Sequence, residues 1–188
     1  HKPNIAGTLR AMERILKLWK KGAVTLRQRE PLLAPVIDKV GPPDLTLRLD
    51  PWESLVRSIV SQQLSTASAR AILLKFEALH PPFPGPNQVR RFKAPRLAAA
   101  GFSKQKIGYL QSLSEHWDRL PKTRAAWESH SEAEVQRLLT EVKGIGEWTA
   151  HMFQIFCLGR TNILPVGDYG VQKALQLLHK LETLPKPK

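Results

Sequence analysis

Only Val142-Lys143-Gly144-Ile145-Gly146 separates two stretches with helical spacing. The first opens at Ser131, with Glu134 at the capping-box position, and runs to about Glu141. The second is helical from Trp148 to Leu158, with its first turn beginning at about Glu147. So short a linker folds two helices back on each other, and this constrains the chain more than any other feature. Glycines at 144 and 146 permit a sharp turn and leave backbone N–H groups uncovered. The amides and positive dipole end of the second helix point the same way, which makes a site for one phosphate without side-chain specificity. Ile145 pins the turn to the core. An ordinary αα-turn accounts equally well for a bare Gly-x-Gly, so the surrounding residues must decide.

The same 3.6-residue period governs the rest of the chain. Leu9, Met12, Ile15, Leu16 and Trp19 share one face, and Gly22 is expected to end that helix. Pro31 to Val40 reads as a short helix closed by Gly41-Pro42-Pro43. Leu45, Leu47 and Leu49 alternate with Thr46 and Arg48, as a short strand or extended segment would. Asp50 is an N-cap with Pro51 at the first helical position and Glu53 at the capping-box position. Its helix buries Leu55, Val56, Ile59 and Val60 and reaches Gln62-Gln63. Further helices are expected at 66–79, 87–93, 95–100 and 104–119, and from near Asp168 to about Leu181. The fold class is therefore all-α.

A formal charge of +13 on 188 residues is spread along the chain and not gathered in a tail. A folded surface must collect it, and a polyanion is the first partner to consider. With 42% apolar residues the chain can bury a core. The lone Cys157 excludes a disulfide framework and any metal site built from several thiolates. No apolar run approaches the roughly 20 residues of a membrane span, and no signal-peptide pattern opens the sequence.

The string VKGIGEWTA at 142–150 resembles the helix-hairpin-helix motif of DNA repair proteins. It is followed by an apolar helix, MFQIFCLGR, and then by NILPVGDYGVQKA. With PWESLVRSIVSQQLS at 51–65 and GFSKQKIGYLQSL at 101–113, this order resembles the helix-hairpin-helix DNA glycosylase superfamily over about residues 45–180. Its nearest branch is the 3-methyladenine DNA glycosylase II type (AlkA and Mag). The resemblance implies a single two-lobed domain over 1–188, with the active-site cleft between the lobes. In the family the helix after the catalytic aspartate is followed by a Trp/Pro/Arg-containing helix, and this sequence stops at Leu184-Pro185-Lys186-Pro187-Lys188 without it.

By that resemblance the catalytic residue is Asp168, and the chemistry suits it. A cationic alkylated base already carries the leaving group's charge, so its departure needs little protonation. One carboxylate then stabilises the oxocarbenium-like sugar and orients water. Asp is also a favoured N-cap, and the residues alone leave the two roles open. Bifunctional members place a Schiff-base lysine two residues after the second hairpin glycine, where this chain has Trp148. An indole cannot form an imine, and Lys143 lies on the other side of the turn.

The resemblance also assigns Lys143, Gly144, Ile145 and Gly146 to the DNA-binding hairpin and Gln62, Gln63 and Leu64 to a minor-groove wedge. That wedge fills the space left by the extruded nucleotide, with Gln63 or Leu64 at its tip. The alternative is a solvated helix end. Trp148, Met152 and Tyr109 are the base-pocket candidates; Phe102, Trp52, Phe153 and Tyr169 are further aromatics that the period places mostly in the core. His151 is expected on a helix surface, with no role. Met152 stands where some members have an aromatic, which weakens the platform for a cationic base.

The expected activity is thus monofunctional excision of alkylated bases from double-stranded DNA. No metal and no cofactor are called for, and the protein is expected to act as a monomer without membrane attachment. It would be cytoplasmic at the nucleoid if bacterial and nuclear if eukaryotic. The competing reading is a non-enzymatic hairpin module that recognises damaged DNA, and a glycosylase for oxidised or mismatched bases is disfavoured by Trp148.

Overall fold

A computed structural model of the chain describes residues 5–43, 45 and 47–186, and the side chains of 5–9 are outside that description. Thr46 of the alternating stretch, the Leu9 side chain and the final Pro187-Lys188 therefore lie outside the described residues. Among those described there is no strand, and no helix is long and apolar enough to cross a membrane. The chain divides into two compact units. One is Arg48–Leu158, and the other joins the segment ending at Leu47 to the segment starting at Gly159.

The Arg48–Leu158 unit is built from helices whose starts are written in their cap residues. α3 (Pro51–Ser61) begins where Asp50 accepts the Glu53 amide at 2.7 Å, with Pro51 at its first position. α4 (Thr66–Leu79), α7 (Lys104–His116) and α8 (Arg124–Glu128) begin at Ser65, Ser103 and Thr123, each accepting the amide three residues on. α9 (Glu132–Thr140) has the full reciprocal box between Ser131 and Glu134. α5 (Pro86–Arg91) and α6 (Ala94–Ala99) each carry a proline in the first turn. α7 tightens into a 3-10 turn at Trp117–Arg119, and α10 (Glu147–Phe156) closes the unit.

These helices share one core. α10 packs against α3 and α9, and α7 packs against α3, α5 and α6. Leu55, Val56, Ile59 and Val60 of α3 are fully buried, each contributing about 1.5–3 kcal/mol relative to exposure. Trp52 stacks edge-on against Trp117, centroids 5.2 Å apart, while its indole N–H donates to the Pro84 carbonyl at 2.7 Å. Trp127 meets Phe153 edge-on at 5.1 Å. α8 was not expected from the sequence, and it has a task. Its Arg124 donates to the carbonyls of Cys157 and Leu158 at 3.0 and 2.9 Å, satisfying the C-terminal end of α10.

The other unit holds α1 (Ile5–Arg29), α2 (Ala34–Val40) and α11 (Tyr169–Leu178). Gly22 does not end α1, which continues to Arg29. One interior glycine costs only about 1 kcal/mol, and helical spacing resumes at Ala23 and Leu26, which pack toward Ile37 and Val40 of α2 around a cavity of about 250 Å³. Arg27 and Asp38 pair across the same two helices at 2.6 and 2.9 Å. Residues 31–33 form a turn, so the helix expected from Pro31 begins later, at Ala34.

Candidate functional site

The turn between α9 and α10 is held from below. Val142 and Ile145 are buried, and the Ile145 amide donates to the Val142 carbonyl at 3.0 Å. Gly144 adopts φ +93°, and a Cβ there would lie 2.1 Å from Cγ of Tyr109. Glycine at 144 is thus required twice, by its backbone and by the ring packed on it. Gly146 differs. It is extended, with φ −95° and ψ 179°, and a Cβ there would meet nothing within 4 Å. It occupies the N-cap of α10 without any side-chain hydrogen bond. Among the described residues nothing demands glycine at 146; its effect is to keep the outer face of a helix N-terminus open. Lys143 beside it is exposed.

The three residues expected to form the wedge divide in two. Gln62, at the C-terminal end of α3, turns inward. Its side-chain amide donates to the Gly144 carbonyl at 2.9 Å and to Thr149 Oγ1 at 3.3 Å, so it is a strut between α3 and the hairpin. Gln63 and Leu64 remain at the surface, with Gln63 at φ +54°. A non-glycine residue held there costs of order 1–3 kcal/mol and persists only where its surroundings fix it. Lys106 of α7 supplies part of that fixing, donating through Nζ to the carbonyls of Val60 and Gln62 at 2.5 and 2.8 Å. Burial lowers the Lys106 pKa from its ordinary value. Nothing in the sequence motifs singles out Lys106, although a lysine in the first turn of a helix, against the dipole, signals another task.

Trp148 is 39% exposed and shares an open concavity of about 400 Å³ with Gln62, Gln63, Gly146 and Thr149. It is therefore not a core residue. Met152 follows one turn later on α10 and is partly exposed. Tyr109 is committed to the hairpin, its ring against Gly144 and its hydroxyl accepting from Gln105. Trp52, Phe102 and Phe153 are core residues. His151, expected at the surface, is buried at 6% exposure, with Nε2 4.0 Å from Glu147 Oε1. Its position follows from α10 being buried on more than one face.

Asp168 belongs to the other unit. It is the N-cap of α11, with Oδ1 accepting the Val171 amide at 3.0 Å. Its own amide donates to the Pro165 carbonyl at 2.8 Å, closing the Pro165-Val166-Gly167 turn that precedes it. Gln172 returns to the Val166 carbonyl at 2.9 Å. A Cβ at Gly170 would approach Asp168 Oδ1 to 3.0 Å, so glycine there leaves the carboxylate its space. The cap that starts the helix also fixes the carboxylate. Tyr169 beside it is 67% exposed.

Residues 56–188 match the model of the HhH-GPD superfamily of base excision DNA repair proteins. The chain belongs to that family. It is 35% identical over 139 residues to DNA-3-methyladenine glycosylase 1 of Schizosaccharomyces pombe, a match covering 72% of this chain and 61% of the relative. This chain therefore spans about three fifths of that curated relative's length. Among solved structures, it is similar to the S. pombe 3-methyladenine DNA glycosylase in complex with abasic DNA. That match has a TM-score of 0.80 and 31% identity and covers 88% of this chain and 84% of that one. It is also similar to a DNA-3-methyladenine glycosidase from Bacillus halodurans, with a TM-score of 0.71 and 38% identity over 82% of this chain and 71% of that one.

Proposed function

We propose that the protein is a monofunctional DNA-3-methyladenine glycosylase of base excision repair, with both units forming one glycosylase domain. It would flip an alkylated nucleotide out of duplex DNA and hydrolyse its N-glycosidic bond. The observation that carries this reading is the fixed carboxylate of Asp168, in a chain whose family and relatives are base excision proteins. In 3-methyladenine or 7-methylguanine the base is cationic, so the C1′–N bond breaks with its electron pair neutralising the leaving group. The sugar cation that forms is stabilised by Asp168, and water adds at C1′ with loss of a proton.

The other residues take roles around that step. Gly146 and the α10 N-terminus receive a backbone phosphate, with Lys143 beside them. Gln63 and Leu64 enter the vacated stack, with Gln62 and Lys106 holding their loop. Trp148, with Met152 one turn on, is a face against which a flipped cationic base can stack. No lysine stands at position 148 to form an imine. The lone thiol, Cys157, is buried, and burial pushes it up to about 12, so it offers no thiolate nucleophile. A protein acting on chromosomal DNA would work at the nucleoid of a bacterium or in the nucleus of a eukaryote.

The test is incubation with methylated duplex DNA. Free 3-methyladenine and 7-methylguanine should appear, leaving intact abasic sites that alkali cuts. Binding without base release would make the protein a non-enzymatic damage-recognition module. A borohydride-trapped enzyme–DNA adduct would overturn the monofunctional assignment.

A further inference from the structure

The loop at 62–64 stands between two concavities of the Arg48–Leu158 unit. Gln62 and Gln63 line the one that holds Gly146 and Trp148. Leu64 lines the other, a groove of about 570 Å³ between α3 and α4 that also takes in Arg48, Arg57 and Arg70, the carboxylate Glu77 and the hydroxyl residues Ser61 and Thr66. The wedge and the hairpin leave this second groove without a role.

Its charges are not equivalent. Arg57 is neutralised within the fold, pairing with Glu53 at 2.8 Å and Glu77 at 2.7 Å. The guanidinium groups of Arg48 and Arg70 make no hydrogen bond or ion pair among the described residues. Arg48 is nevertheless anchored, its amide donating to the Phe156 carbonyl at 2.9 Å. Burial, and then the charge of Arg57, hold its guanidinium below the ordinary value, with Glu53 offsetting part of this. A partly desolvated guanidinium with no hydrogen-bonded anion of its own is unfavourable, and an anion in the groove relieves it. The guanidinium fork suits phosphate in particular, and Ser61 and Thr66 add two hydroxyl donors.

Which anion follows from the loop. A wedge in the minor groove has one strand on each side of it. If the hairpin side of the loop takes the strand carrying the extruded nucleotide, the α3–α4 side faces its complement. We propose that Arg48 and Arg70 grip a phosphodiester of the strand opposite the extruded nucleotide, as a second backbone site independent of the hairpin. This rests on the reading of Gln63 and Leu64 as the wedge.

The test is binding to a duplex with a stable abasic analogue, in which single phosphates are replaced one at a time by neutral methylphosphonates on either strand. For the wild-type protein, one or two positions on the opposite strand should each cost about tenfold in affinity, the scale of one charged hydrogen bond. The Arg48→Ala, Arg70→Ala double variant should be insensitive at those same positions, and at lesion-strand positions it should respond as wild type does. Its log affinity against log salt should flatten by about 1–2, near 0.9 for each phosphate no longer neutralised. Neither guanidinium holds a hydrogen bond or ion pair that the substitution would remove from the described fold, so thermal unfolding should be unchanged. A double variant that responds like wild type to every opposite-strand methylphosphonate, or that loses its response on the lesion strand instead, would overturn the proposal. The scan reads binding alone, so its outcome is separable from a failure to release methylated bases.

Discussion

α10 begins at Gly146, which offers no side chain to its own helix, whereas α11 begins at Asp168, whose Oδ1 accepts the Val171 amide at 3.0 Å. The two termini carry the same dipole and the same unfilled amides, and the residue at the cap decides what becomes of them. An open terminus leaves its positive end to an anion from outside. A closed one holds a carboxylate still. The nearby glycines divide in the same way: a Cβ at 146 would meet nothing, while a Cβ at 170 would press on Asp168 Oδ1 at 3.0 Å. On the proposed function, one helix start would serve binding and the other chemistry.

The largest expected effect separates cap from catalyst at Asp168. Asparagine caps a helix as well as aspartate, so Asp168→Asn should leave the unfolding free energy within about 0.5 kcal/mol of wild type. Single-turnover excision should nevertheless fall at least about a hundredfold, or about 2.7 kcal/mol of transition-state stabilisation. Asp168→Ala should lose about 1 kcal/mol of stability in addition. If the Asn variant excised normally, Asp168 would be a cap and nothing more.

Gly144→Ala tests the fold side of the hairpin. The new Cβ collides with the Tyr109 ring at a residue held at φ +93°, so the variant should be destabilised by about 2 kcal/mol in urea unfolding. Wild-type stability would contradict the packing of Tyr109 on the turn.

The helix starts at Asp50, Ser131 and Asp168 were legible in the sequence because N-cap chemistry is local, a side chain and an amide three residues on. The hairpin was legible for the same reason. Gly22 misled, since a glycine stops a helix only where the following residues cannot continue it, and Ala23 and Leu26 resume the apolar face. α8 has too few residues to show a period, leaving Thr123 as its one signal. The inward turn of Gln62 was beyond reach, because its partner Gly144 lies 82 residues away. The groove of Arg48 and Arg70 likewise depends on which arginines the fold has already paired.

The wedge sharpens the comparison from a third direction, since it belongs to neither helix start. Replacing Gln63 and Leu64 by Ala should slow excision from fully paired duplex by roughly tenfold, and the loss should shrink when the lesion lies opposite a mismatch or gap. Asp168→Asn should show no such rescue, because its defect follows flipping. Equal losses on all three substrates in the double Ala variant would remove this loop from the flipping step.

The division between an open and a closed helix start is tested most directly by titrating enzyme against a fixed amount of methylated duplex under single-turnover conditions, for Gly146→Ala and Asp168→Asn together. Gly146→Ala should raise the enzyme concentration needed for half-saturation, on damaged and undamaged DNA alike, and leave the plateau excision rate near wild type. Asp168→Asn should leave half-saturation in place and collapse the plateau. If both variants moved the same parameter, binding and chemistry would not be divided between these two helix starts.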